Sequence, residues 1–119
     1  MVPSVLFVDD SAVARALASR LFAERGIAVT VAASSREAAA IDPASLSAAL
    51  LDIELDDGLG TELAERLRST SPALPIAFLT AGNRQAILEL ARSFGPVFLK
   101  SSGVEDAVSW VARLVSGQG

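Results

Sequence analysis

Four short apolar runs, each closed by an acidic, hydroxyl or ammonium side chain, constrain this chain more than any other feature. Val5-Leu6-Phe7-Val8 ends in Asp9 and Asp10, Ala48-Ala49-Leu50-Leu51 in Asp52, Ile76-Ala77-Phe78-Leu79 in Thr80, and Val97-Phe98-Leu99 in Lys100. Short continuous apolar runs bounded by polar residues read as strands covered on both faces, the pattern of a parallel sheet between two layers of helices. In an open sheet of that kind, ligands bind beyond the carboxyl ends of the strands, where the strand order reverses. Three carboxylates, a hydroxyl and an ammonium converge on that edge. Such a set suits a divalent cation and a phosphoryl group.

The segments between the runs carry helical spacing. Ala14, Leu17, Ala18, Leu21 and Phe22 recur at helical intervals after Asp10, and Gly26 supplies a stop. Ile27 to Val31 reads as a further strand, the second in chain order. Ser34 with Glu37 three residues on forms a capping-box pattern that opens a short helix to about Ile41. Pro43 breaks the chain before the third strand, and an Asp- and Gly-rich loop, Glu54 to Gly60, precedes a helix marked by Leu63, Ala64 and Leu67. The fourth strand follows Pro72 and Pro75. A helix around Gln85 to Ser93, the fifth strand, and a last helix opened by Ser102 with Glu105 complete the chain, with Trp110, Val111 and Leu114 on that helix's apolar face. Gly117-Gln118-Gly119 reads as a frayed end. Five strands alternating with five helices imply a parallel sheet with right-handed crossovers and helices on both faces.

Composition narrows the chemistry. With 119 residues, 51% of them hydrophobic, residues 1–119 read as one domain with one continuous core. Asp9 and Asp10 interrupt the amino terminus before any signal-peptide core, and no apolar run approaches membrane-spanning length, so a cytoplasmic location is expected. The absence of cysteine and histidine removes disulfides, thiolate and imidazole ligands, and histidine acid–base catalysis. A net charge of −4 without a basic cluster argues against direct nucleic-acid binding. Lys100 is the only lysine, against nine arginines.

Two adjacent carboxylates and a third on a neighbouring strand repel one another, and a cation relieves that cost. Mg2+ takes oxygen ligands, keeps several waters and typically uses one or two carboxylates plus phosphate oxygens. On this reading Asp10 and Asp52 are direct ligands, Asp9 acts through water, and the Glu54 backbone carbonyl completes the protein's share. A carboxylate beside such an ion can attack a phosphoryl group and form an acyl phosphate. Thr80 and Lys100 then serve two of the equatorial oxygens, and the metal serves the third. Singly, each of these residues is more often a helix cap, a turn residue or a solvated end. Together, at the same end of four strands, they read as a site. The acidic loop residues Asp56 and Asp57 read as solvated, and only Glu54 lies near enough to Asp52 to matter.

These residues resemble the receiver domain of two-component response regulators, including the single-domain chemotaxis type. Val8-Asp9-Asp10-Ser11 with Arg15 resembles the acidic pair and helix opening of that family, and Asp52-Ile53-Glu54-Leu55 through Gly58 its phosphoacceptor segment. Thr80-Ala81 resembles the switch hydroxyl and Lys100 the family lysine. The resemblance implies a flavodoxin-like fold with strand order 2-1-3-4-5. It also implies phosphorelay signalling, with Asp52 taking a phosphoryl group from a sensor histidine kinase or histidine phosphotransfer protein in a Mg2+-dependent reaction. Output by protein–protein contact, pairing of two copies through the fourth and fifth helices, and no turnover on external substrates follow from the same resemblance.

Three positions and one spacing depart from the family pattern. Val97 stands where an aromatic residue is usual, and Ser101 where proline is usual, so a trans peptide is expected there. The span from Thr80 to Lys100 is about two residues short, and Asp56 replaces a common proline, which loosens the loop. The missing aromatic favours an alternative, a degenerate receiver that binds partners without phosphorylation. A third reading is a magnesium-dependent aspartyl phosphatase. It is weakened because Glu54, not Asp, stands two residues after Asp52.

Overall fold

The computed structural model describes residues 3–82 and 84–116. Five parallel strands form the sheet: β1 (Ser4–Val8), β2 (Ala28–Ala32), β3 (Ala48–Asp52), β4 (Ile76–Thr80) and β5 (Val97–Leu99), in the order β2-β1-β3-β4-β5. The order reverses between β1 and β3. This is the doubly wound flavodoxin-like arrangement that the family resemblance implies.

Five helices cover the two faces: α1 (Ala12–Ala23), α2 (Ser35–Ala38), α3 (Gly60–Thr70), α4 (Gln85–Arg92) and α5 (Val104–Ser116). Alternation along each strand divides the core. Val5, Phe7, Leu50, Ala77 and Leu79 pack with Phe22 of α1 and Val108 and Val111 of α5, while Leu6, Val8, Leu51 and Phe78 pack with Leu63 and Leu67 of α3 and Leu88 of α4. β3 and β4 are buried along their whole length, which is why they lack polar alternation, whereas the edge strand β2 is largely exposed.

Local signals explain most boundaries. The hydroxyl of Ser11 accepts the Ala14 N–H at 3.2 Å and caps α1. At its far end Gly26, with φ +71°, donates to the Ala23 carbonyl while Ile27 donates to Phe22, both at 3.0 Å, a Schellman closure that a side chain at position 26 would disfavour.

Three boundaries differ from the sequence expectation. α2 ends at Ala38, and only single turns, Ala40 N–H to Glu37 and Ile41 N–H to Ala38, continue toward Ile41. The last helix starts at Val104. Ser102 belongs to a preceding 3₁₀ turn, Lys100–Ser102, so Gly103 occupies the position before the helix and the expected Ser102–Glu105 cap is displaced. The loop after Asp52 is a tight hairpin in which Glu54–Leu55 pairs with Gly58–Leu59, and α3 begins directly at Gly60. The trans expectation at Ser101 holds, since no cis peptide occurs among the described residues. The expected fraying of Gly117–Gly119 lies outside the described residues.

Gly95 turns the chain from α4 into β5 so closely against β4 that a Cβ would collide with the Ile76 carbonyl oxygen. Gly95→Ala is therefore expected to cost about 1–3 kcal/mol. The check is a lowered urea midpoint at unchanged m-value.

Candidate functional site

The carboxyl ends of β1, β3, β4 and β5 bring the sequence-nominated residues together. Asp9 follows β1 and is fully buried; its Oδ1 accepts the Ser11 N–H at 2.9 Å, and its backbone carbonyl accepts from Arg15 Nη1 at 2.8 Å. Because Ser11 caps α1, Asp10 is left without that structural task. Asp52 closes β3 at 5% exposure, and its Oδ1 accepts the Glu54 N–H at 3.3 Å. Asp9, Asp10 and Asp52 each offer a carboxylate oxygen, and these oxygens lie within 4.8 Å of one another.

Lys100 reaches over the end of β5 between two of them. Its Nζ lies 2.8 Å from Asp9 Oδ2, a close ion pair lacking a well-directed hydrogen bond, and donates to Asp52 Oδ2 at 3.2 Å. Thr80 ends β4 beside them, buried, with its Oγ1 accepting the Gly82 N–H at 3.0 Å. The register sets this neighbourhood, since Asp52 pairs with Leu79 and Thr80 with Leu99, the residue before Lys100.

Burial, and then the charge of Asp9, push the Asp52 carboxyl from 3.8 up to about 6, against the opposing effects of Lys100 and the Glu54 N–H. Burial also disfavours the Lys100 charge, but Asp9 and Asp52 outweigh it and hold that ammonium above the usual lysine value. One ammonium against three carboxylates leaves two negative charges when all are ionised. An all-oxygen donor set with that residual charge fits a hard divalent cation.

The side chain of Glu54 reaches the β4–α4 loop. Its Oε2 lies 3.6 Å from Arg84 Nη1, and its Oε1 lies so close to Gly82 that a Cβ there would come within 2.7 Å. Arg84 has no sequence signal, because the contact depends on two loops meeting. Asp57 also departs from expectation. Rather than being merely solvated, its Oδ1 and Oδ2 accept the N–H groups of Ser35 and Arg36, each at 3.0 Å, and these bonds hold its carboxyl below the usual range.

The aromatic residues near β5 are already engaged. Val97 is half-buried on the α2, α3 and α4 face; Phe98 points to the opposite face, 6.3 Å from Trp110, and Phe94 lies edge-on to Phe78 at 6.4 Å. Arg68 fixes Phe94 by donating to its carbonyl at 2.5 Å and by stacking 5.7 Å from its ring.

The family model for the response regulator receiver domain matches residues 5–97, most of the chain and four of the five clustered side chains. The chain belongs to the response regulator receiver domain family. Solved receiver domains carry the same fold. A CheY-like receiver domain protein from Methanospirillum hungatei JF-1 superposes with TM-score 0.88 at 22% identity, covering 99% of this chain and 97% of that one. Chemotaxis protein CheY4 of Vibrio cholerae gives 0.83 at 24% identity, covering 96% and 99%. The beryllofluoride-activated NtrC4 receiver domain dimer gives 0.83 at 22% identity, covering 98% of each. A comparison with curated protein sequences found no match.

Family membership implies a part in phosphorelay signalling and contact with histidine kinases or phosphotransfer proteins. Among the described residues no helix is long and apolar enough to cross a membrane.

Proposed function

We propose that residues 1–119 act as a cytoplasmic phosphoacceptor in which Asp52 receives a phosphoryl group from the phosphohistidine of a sensor kinase or phosphotransfer protein. The observation that carries this reading is the meeting of Asp9, Asp10 and Asp52 within 4.8 Å with the Lys100 ammonium bridging Asp9 and Asp52. Asp10, Asp52 and the Glu54 carbonyl would hold Mg2+, with Asp9 acting through water. Bound there, the ion would supply charge neutralisation for the transferring phosphoryl oxygens.

The protein's own groups do the rest. An Asp52 carboxylate oxygen forms a bond to phosphorus as the phosphorus–nitrogen bond of the donor breaks, and the released imidazole takes its proton from water. Lys100 exchanges its contact with Asp52 for a phosphoryl oxygen, and Thr80, whose Oγ1 accepts the Gly82 N–H, donates its hydroxyl proton to another. Output is by protein contact at the α4, β5 and α5 face, where Leu90 is 50% and Leu99 47% exposed. Pairing of two copies through α4 and α5 belongs to the same proposal; among similar structures, NtrC4 is described as a dimer.

Intact mass after incubation with acetyl phosphate and Mg2+ tests the chemistry. A single phosphoryl adduct is expected, lost with Asp52→Asn and with a chelator. An adduct that persists in Asp52→Asn would move the acceptor elsewhere. Partner binding unchanged by Asp52→Asn would favour the phosphorylation-independent module.

A further inference from the structure

α2 has four residues, too few to sustain a helix by its own hydrogen bonds. It is held from outside. Within its own segment, Ser34 Oγ accepts the Glu37 N–H at 3.0 Å and Glu37 Oε1 accepts the Ala33 N–H at 3.1 Å. From α3, Arg66 Nη2 donates to Ser35 Oγ at 2.6 Å. Ala38 is buried in the core, and Asp57 adds a further fastening, its carboxylate accepting the first two amides of the helix.

Asp57 lies in the hairpin that starts at Glu54, directly after Asp52 and Ile53. That hairpin is also held by Leu55, which is buried in the core, by the Glu54–Arg84 ion pair at 3.6 Å, and at its base by Gly60 N–H to the Ile53 carbonyl at 2.7 Å and Leu59 N–H to Glu62 Oε1 at 3.0 Å. Its tip is anchored by Asp57 across to α2. The segment that carries the Glu54 carbonyl is thus tied to a helix that cannot stand alone.

We propose that Asp57 is a positioning residue that couples cation occupancy of the acidic site to order in α2. The proposal rests on the magnesium reading above. A cation that fixes the Glu54 carbonyl restrains the hairpin, the restrained hairpin holds Asp57 on the Ser35 and Arg36 amides, and α2 tightens. By linkage, the ordered helix favours cation binding by the same factor. α2 then forms a second state-dependent surface, on the sheet face opposite α1 and α5.

Amide hydrogen exchange with and without Mg2+, together with the Mg2+ Kd by calorimetry, tests this. In the wild type, Mg2+ is expected to slow exchange of residues 35–41 about threefold or more. Asp57→Ala should lose that protection and weaken Mg2+ binding about 3–10-fold, while Asp57→Asn, which keeps one acceptor oxygen, should retain part of both. A purely structural role would speed α2 exchange equally with and without Mg2+ and leave Kd unchanged, which overturns the proposal. So would a wild type that binds Mg2+ without change in α2. A wild type that takes up no Mg2+ overturns the cation reading itself and the coupling with it.

Discussion

Asp52→Asn is expected to raise the stability of the cation-free protein by about 1–3 kcal/mol at pH 8, while removing the proposed phosphoacceptor. Burial and Asp9 lift the Asp52 carboxyl from 3.8 to about 6, so the folded state binds that proton more tightly than the unfolded chain. Unfolding between about pH 4 and 6 therefore releases a proton, and this group's contribution makes stability fall as pH rises through the window. Above it the full penalty of a buried carboxylate is present. Below it the carboxyl is neutral in both states and the penalty is absent. A displacement of this size corresponds to roughly 3 kcal/mol at most, and loss of one Lys100 contact offsets part of it. Urea unfolding with a chelator at pH 4 and pH 8 measures the difference. A gap of equal size at both values would refute the electrostatic account. With saturating Mg2+ the order should reverse, because an ion held at the proposed site would stabilise the native wild type by mass action.

The opposite outcome is expected for Lys100→Met. It removes the ammonium that lies 2.8 Å from Asp9 Oδ2 and 3.2 Å from Asp52 Oδ2, and leaves both carboxylates facing each other in the interior. Stripping one partner from a buried ion pair typically costs about 3–5 kcal/mol. Here Lys100 keeps a quarter of its side-chain surface exposed and Asp52 can take up a proton, so about 2–4 kcal/mol at pH 8 is the expected loss. At pH 5 the loss should shrink, as Asp52 becomes neutral and needs less compensation. Mg2+ should restore much of the stability but not phosphoryl transfer from acetyl phosphate. Equal losses at pH 5 and pH 8, unrelieved by Mg2+, would show that the lysine stem, rather than its charge, holds the site together.

The sheet and the clustered side chains were legible because both depend on local pattern. A strand buried on two faces must be continuously apolar, so β1, β3 and β4 announce themselves; β5 is a partly exposed edge strand, legible only as a short apolar run, and in all four the residue that ends the run is placed at the rim by the fold. Asp9, Asp10, Asp52, Thr80 and Lys100 follow from that rule. What the sequence withheld depends on contacts between distant segments. Asp57 looks like any loop carboxylate until the hairpin reaches α2, more than twenty residues away. Arg84 meets Glu54 only because two loops close over the same rim. Ser102 failed as a cap because the 3₁₀ turn after Lys100 shifts the helix start to Val104. α2 is shorter than its pattern implied, since helices of that size are set by their surroundings rather than by propensity.

The ammonium between Asp9 and Asp52 belongs to the chain's sole lysine. Isotopic dimethylation of amines, which preserves the positive charge, would therefore place a single side-chain carbon-13 label in the molecule, distinct from the label on the amino terminus. Its resonance would come from the centre of the acidic cluster without assignment of the rest of the spectrum. Protonation of Asp52, arrival of a cation and arrival of a phosphoryl group would each alter the field at the two methyl carbons of that one side chain, so the sole lysine offers a spectroscopic reporter of the state of the proposed site.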